Sequence, residues 1–525
     1  MIVITAKSSS TPRGVPTWAP LTGESNLTRD AGAPTEGRPC ISPRFNKLTS
    51  TLFIAIAFVF VATRLWHLTS YGVFGDEVFT LWTSEQDWRS LFASVVGDVV
   101  HPPLFYMLLK LWIGIGGQSL QWVKLLPALF SIASIAPFFL LCRELNLEPR
   151  TMNLALWLVA VNGLLINHSQ ELRMYSLLLL LSVSSLWLFG KLVNRDAGTL
   201  MIQVALCAVN LLLVFTHYYG WVVVALEFIF LLIWKRLHLR SFAITAAFLI
   251  FCFSPWVYFV ERAARVNPSR LEFTWNQPPA LSELIGFYGN LNGSLSYRWK
   301  VLGTALVMLL FLFPVTVWGW RVAGRELERV RSTAATFCWL ALFAFGPPAL
   351  SFFASHILPQ PVWAFRYLII AAPAYMLLVA GAAYRLKPTR VRIGTVMLIV
   401  CWSALSGFAE IADGDRIAWQ PLVEGMIQAE LEQPGVSVYV TDANIGNTIQ
   451  YYLDQAGETR FQVSFVNGFE SAAGNHFWIA LIRYKHEVAP LLQDEMIERG
   501  YRAGESIESE AAGHKAMLFP VWRQR

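Results

Sequence analysis

Between residues 50 and 409 the chain repeats one motif: an apolar run of about 20 residues, the length a helix needs to cross a bilayer, then a polar connection. The runs fall at 50–68, 122–142, 152–167, 174–192, 199–216, 220–234, 241–260, 301–320, 334–354, 367–384 and 391–409. That makes about eleven transmembrane helices. Every second connection is basic. Arg143 and Arg150, then Lys191 and Arg195, then Lys235, Arg236 and Arg240 fall on one side. Arg321, Arg325, Arg329 and Arg331, and Arg385, Lys387, Arg390 and Arg392, fall on the same side. The alternate connections carry single arginines, Arg173 and Arg366. Such alternation marks the basic side as cytoplasmic, and long connections such as 261–300 are exempt from it. It also requires 104–116, which contains Lys110, to lie on the outer face as an interfacial helix. If that segment crossed, every later basic loop would face outward.

Composition agrees with this layout. Charged residues make up 14% of the chain and hydrophobic ones 55%, whereas soluble domains carry about 25% charged residues. The net charge of +6 reflects membrane orientation, and no nucleic-acid module is legible. Six cysteines stand singly with no zinc spacing and no disulfide framework. Residues 1–48 are polar, lack the apolar core of a signal peptide, and read as a disordered cytoplasmic tail.

The expected architecture is an α-helical polytopic membrane protein over 49–410, with outer loops 69–121 and 261–300. Residues 411–525 differ in kind. Strands are expected at 436–440, 461–466, 477–482 and 516–521, with helices at 444–454 and 487–499. They make a small α/β domain, and an odd number of spans places it outside the membrane.

With that topology the unusual polar clusters share the outer face. They are Asp76-Glu77, His101-Pro102-Pro103, the stretch His168 to Tyr175, His217-Tyr218-Tyr219 and Arg366-Tyr367. Asp76 and Glu77 are adjacent, so one carboxylate can enter a cavity while the other caps or supports. A carboxylate there can act as a general base or join a divalent-cation site. The bland alternative makes Asp76 the N-cap of a helix starting at Glu77. Arg173 suits bidentate contact with a phosphate, or else snorkels to water; Arg366 has the same ambiguity. The run His217 to Trp221 reads as an aromatic belt. His101 before two prolines also fits a helix start. The aromatic-rich connection 261–300, with Trp275, Phe287 and Tyr288, reads as a binding loop or a surface segment. Glu227 sits mid-span, the best argument for a transport pathway.

Four segments in order resemble the bacterial C-class glycosyltransferases. They are Gly75-Asp76-Glu77, His101-Pro102-Pro103-Leu104-Phe105-Tyr106, Ser169-Gln170-Glu171-Leu172-Arg173-Met174-Tyr175, and Arg366-Tyr367-Leu368 with Pro373 and Ala374. The resemblance is to the dolichyl-phosphate-mannose protein mannosyltransferase-like set (glycosyltransferase family 39) and the lipid A aminoarabinose transferases, and it spans about 50–410. It implies the C-class glycosyltransferase fold in a bacterial inner membrane and inverting transfer from a polyprenyl-phosphate sugar donor to an unnamed lipid, glycan or protein acceptor. It further implies a catalytic Asp76 with Glu77 beside it, and His101, His168, Glu171, Arg173, Tyr175, Arg366 and Tyr367 as donor-phosphate or substrate contacts. His101 stands where related aminoarabinose transferases carry lysine, so the sugar stays open. No cofactor is implied firmly, a divalent cation remains an option, and the partners are the donor and membrane lipids. The competing expectations are a lipid or solute transporter centred on Glu227 and a membrane scaffold with an outer binding domain.

Overall fold

The computed structural model describes residues 47–70, 72–194, 200–266, 277–293, 300–323, 331–413, 417–430, 435–466, 474–484, 499–511 and 514–523. The N-terminal tail and the helix expected over 487–499 lie outside these residues except for their last positions. Part of the 261–300 connection, including Trp275, and Arg195, Arg325 and Arg329 also fall outside them.

The first part of the chain forms α1 (Lys47–Leu65), α2 (Asp76–Glu85), α3 (Trp88–Asp98), α4 (Leu104–Gly116), α5 (Leu120–Ala133), α6 (Ile135–Glu144) and α7 (Pro149–Val161). Next come α8 (Gly163–Ser169), α9 (Tyr175–Val193), α10 (Leu200–Thr216), α11 (Gly220–Trp234), α12 (Leu239–Val266) and α13 (Leu281–Leu291). The membrane part ends with α14 (Lys300–Ala323), α15 (Arg331–Ile357), a 3₁₀ turn at Phe365–Ala371, α16 (Ala372–Tyr384) and α17 (Thr389–Asp413).

Among the described residues, seven helical stretches are long and apolar enough to cross a membrane, or eight if the bent pair α7–α8 counts as one span. The other expected spans, 50–68, 199–216 and 220–234, correspond to the shorter apolar helices α1, α10 and α11. The segment 104–116 is the 13-residue helix α4, which belongs to the same group of shorter apolar helices. Ile54, Phe58, Met201, Phe251, Trp320 and Phe408 are exposed on the flanks of their helices, as expected where lipid replaces water as the neighbour. The molecule is a multi-pass membrane protein. Its inner helices α9 and α16 are buried almost all round, the signature of a bundle core.

One expected span is broken. The run 152–167 bends by 57° between α7 and α8. Asn162 makes the break: its Oδ1 accepts from Leu165 N at 3.0 Å and caps α8. Its Nδ2 donates to Leu291 O at 2.6 Å. Carbonyls of the α7 end, left without helical partners, are met by the fully buried Arg64, which donates to Val159 O at 2.7 Å and to Ala160 O. The break carries the chain into the corner where Arg173 sits.

The C-terminal domain has a six-stranded mixed sheet. Its strands are β1 (Val436–Val440), β2 (Phe461–Phe465), β3 (His476–Tyr484), β4 (Tyr501–Ala503), β5 (Ile507–Ala511) and β6 (His514–Arg523). They run β2-β1-β3-β6-β4, with β5 also on β6. β1 lies parallel to β2 and β3, in register Val438 with Val463 and with Trp478. α18 (Trp419–Ala429) and α19 (Ala443–Gln455) cover the sheet, and α19 also packs on α2. α19 starts where Asp442 accepts from Asn444 N at 2.7 Å. The domain therefore sits on the membrane bundle at the segment that carries Asp76.

Candidate active site

Gly75 builds the entry to α2. Its φ of 48° with ψ of −104° is a backbone that residues with a Cβ avoid. The reversal lets Phe74 O accept from Glu77 N at 2.9 Å and Gly75 O from Phe79 N at 3.1 Å. Gly75 is thus the cap and Asp76 the first helical residue, so the N-cap alternative for Asp76 does not hold. Both carboxylates occupy the first turn, where the helix dipole favours negative charge.

The two acids then part company. The side chain of Asp76 is 39% exposed, with Oδ2 at 3.5 Å from Arg366 Nη1 and 3.8 Å from Arg173 Nη2. Glu77 is buried, with Oε1 accepting from Leu172 N at 2.6 Å and Oε2 from Phe74 N at 3.3 Å. Lys124, itself fully buried on α5, lies 3.6 Å from Oε1. The sequence pairs Glu77 with Asp76 as catalytic; its geometry is that of a support that ties the loop to the bundle.

Arg173 is 3% exposed and spreads its guanidinium over three partners. Nη1 donates to Asp76 O at 3.1 Å and to Thr80 Oγ1 at 2.8 Å, and Nη2 lies 3.3 Å from His101 Nδ1. Burial works against its charge, but Asp76, Tyr106, Tyr175 and Glu171 outweigh it and hold its pKa well above the usual arginine value.

The structure also brings in His217, which the sequence placed in an aromatic belt. Its ring is 2% exposed as a residue, 5.3 Å from the His101 ring and 4.6 Å from the Tyr367 ring. Burial, then Arg173, pushes the His101 pKa well down, while Asp76 opposes. Burial, then His101, Arg173 and Arg366, does the same to His217. In each ring Nδ1 faces a group that can only donate and so accepts: His101 from Arg173, His217 from Tyr219 N at 3.1 Å, the arrangement of a neutral imidazole. A neutral ring with Nδ1 accepting carries its proton on Nε2. Neither Nε2 has a partner among the described residues, and nor does the buried Tyr175 hydroxyl. Buried donors are nearly always satisfied, so this corner is built with donors to spare.

Tyr367 sits at its centre, 6.2 Å from His101 and 6.3 Å from Tyr175 by ring centroids, with Arg366 stacked 5.6 Å from its own ring. His168 Nδ1 meets Glu171 Oε2 at 2.6 Å, and its ring lies 5.0 Å from Tyr175. α13 brings Phe287 to 6.1 Å from Phe365, next to Arg366. All nine sequence-named residues converge on this corner. Glu227 does not. It lies inside the bundle, its oxygens accepting from Ser185 Oγ at 2.6 Å and Asn210 Nδ2 at 2.8 Å. Among the described residues, no group of three or more His, Cys, Asp or Glu side chains could hold a metal ion.

The sequence matches no protein-family model and no curated protein. Its architecture, however, is similar to ArnT from Cupriavidus metallidurans bound to undecaprenyl phosphate, with TM-score 0.50 and 13% identity, covering 89% of this chain and 97% of that one. The chain has the C-class glycosyltransferase fold. The apo oligosaccharyltransferase of Archaeoglobus fulgidus is a looser likeness, with TM-score 0.44 and 14% identity over 82% of this chain and 66% of that one. Within the C-class fold of this chain, the corner of Asp76, Arg173, His217 and Arg366 lies beside the contact of α19 with α2, where the C-terminal domain meets the bundle.

Proposed function

We propose that this protein is a membrane glycosyltransferase that moves a sugar from a polyprenyl-phosphate donor to an acceptor hydroxyl or amine outside the membrane, with inversion. The observation that carries the reading is the partly exposed Asp76 carboxylate, with Oδ2 3.5 Å from the Arg366 guanidinium and 3.8 Å from that of Arg173. The fold it shares with a protein solved with undecaprenyl phosphate supports the same donor class. Topology follows the positive-inside pattern: the tail is cytoplasmic and the C-terminal domain extracytoplasmic, in an inner membrane.

In this scheme the lipid chain confines the phosphate to the membrane surface. Arg173 and Arg366 meet it there, and the spare Nε2–H donors of His101 and His217 and the Tyr175 hydroxyl bind its remaining oxygens or the sugar hydroxyls. Asp76 takes the proton of the acceptor as the acceptor atom bonds to the anomeric carbon. The anomeric carbon–oxygen bond to phosphate breaks, and the charge develops on a phosphate already flanked by cations. Fixing both reactants supplies much of the rate enhancement. Glu77 acts as the support for the loop, and no cofactor is assigned to any step.

What weighs for the transferase over the transport reading is that both Glu227 oxygens are hydrogen-bonded to neighbouring helices, to Ser185 and Asn210. The deciding experiment follows turnover of a panel of radiolabelled polyprenyl-phosphate sugars by purified protein in nanodiscs, wild type against Asp76→Asn. Turnover of one donor, abolished in the variant, is the expected result. Retained turnover in a folded Asp76→Asn protein overturns the assignment.

A further inference from the structure

The loop in front of Asp76 is held from two sides, and one of them is the C-terminal domain. The Tyr452 hydroxyl of α19 accepts from Val73 N at 2.9 Å and donates to Val73 O at 3.1 Å. Thr448, one turn earlier and fully buried, accepts from Gly75 N at 2.8 Å and donates to Asn444 O at 2.6 Å. Trp419 of α18 stacks on Phe74 with ring centroids 5.9 Å apart and 5° between planes. α19 also fills the space that side chains would need at both loop glycines. A Cβ at Gly72 would stand 1.8 Å from the Tyr452 hydroxyl, and one at Gly75 would stand 2.9 Å from Asn444 Cβ.

These contacts go to backbone groups of the residues just before the carboxylate. Irregular backbone needs partners for its polar groups, and here another domain supplies them. From the opposite side Glu77 anchors the same turn to Leu172 N. We infer that the C-terminal domain is a positioning element of the reaction: Tyr452 and Thr448 fix the backbone of residues 73–75 and thereby set Asp76 against Arg173 and Arg366. The inference rests on Asp76 being the base. Displacing a catalytic group by about 1 Å costs on the order of a hundredfold in rate, so two backbone clamps are enough to matter.

The test uses the full-length protein in nanodiscs with Tyr452→Phe, Thr448→Val and Thr448→Ser. Donor kcat and KM are measured beside amide hydrogen exchange of the peptide covering 72–77. Tyr452→Phe and Thr448→Val are expected to lower kcat about tenfold or more, with donor KM little changed and exchange of the peptide faster. Thr448→Ser, which keeps the hydroxyl, is expected to behave as wild type. Unchanged kcat and exchange in the Phe and Val variants overturn the inference, as does an equal loss in the Ser variant, which would assign the effect to packing. Should wild type turn over no donor, the transferase reading falls separately. Exchange then decides the clamp: protection lost in the Phe and Val variants and kept in Ser upholds it, and protection unchanged in all three overturns it.

Discussion

Arg366 Nη1 stands 3.5 Å from Asp76 Oδ2, joining the turn after the first span to the start of the last span but one. The pair is partly exposed, so its electrostatic contribution to stability is small, about 1 kcal/mol or less. Its consequence is placement. A cation suited to a phosphate and a carboxylate suited to a proton are both partly exposed and side by side. Arg173 completes the set from a buried position with fixed donors.

Arg173 and Arg366 therefore differ in what a lysine can replace. Arg173→Lys keeps the charge but cannot serve Asp76 O, Thr80 Oγ1 and His101 Nδ1 together. A loss of about 2 kcal/mol in stability and at least tenfold in donor kcat/KM is expected. Arg366→Lys, at a more open site, is expected to raise donor KM with stability within about 0.5 kcal/mol. Thermal unfolding and donor kinetics on the two variants check both.

The adjacent acids give opposite profiles. Asp76→Asn is expected to remove turnover by about a hundredfold or more, with a modest fall in Tm because the buried Arg173 loses the first of the charges that offset its burial. Glu77→Gln weakens the neutralisation of the buried Lys124 and the acceptor for Leu172 N. It is expected to cost about 2–3 kcal/mol, with activity falling in proportion to folded protein. A Glu77→Gln protein as stable as wild type but inactive would return Glu77 to a direct catalytic part.

Much of this was legible in the sequence, for physical reasons. Span length reports the bilayer directly, which is why the helix pattern is readable. Asp76, Arg173 and Arg366 stood out because charge at a span mouth is rare. What stayed hidden depends on direction. Adjacent Asp76 and Glu77 look alike until Gly75 sets which one stays exposed and which is buried. His217 lies in a run of tyrosines after a span and reads as a belt, and only packing turns its ring inward to Tyr367. The one signal that could have found it is its place among the other polar clusters at that end. β4, three residues long, and α18, with Pro421 in its first turn, carry too little pattern to be read.

The two neutral histidines make stability depend on pH. Both have folded pKa values below the ordinary 6.5 because of burial. Between the folded and unfolded values the unfolded chain binds more protons, so stability rises with pH across that window. The contribution is complete above about pH 6.5 and is lost as pH falls below it, by at most about 1.4 kcal/mol per pH unit for each histidine. Tm in detergent is expected to be level from pH 7 to 8 and to fall below pH 6.5. His217→Gln should flatten part of that fall. A Tm unchanged from pH 7 to 5 would show that these rings stay solvated.

Glu227 separates catalysis from transport. Its two oxygens accept from Ser185 of α9 and Asn210 of α10, and no solvent reaches it. A glutamine has the same shape and keeps one acceptor, while Ser185 Oγ can also donate to Asn210 Oδ1, which lies 2.6 Å away. Glu227→Gln is therefore expected to retain donor turnover within about twofold and stability within about 1 kcal/mol. Glu227→Leu leaves the Asn210 amide short of an acceptor and is expected to cost about 1–3 kcal/mol, again with donor KM unchanged. The check is donor kinetics and thermal unfolding on both variants, with lipid translocation followed in proteoliposomes. Loss of translocation in the glutamine variant, with wild type active in that assay, would make Glu227 part of a conducting path and the fold a carrier.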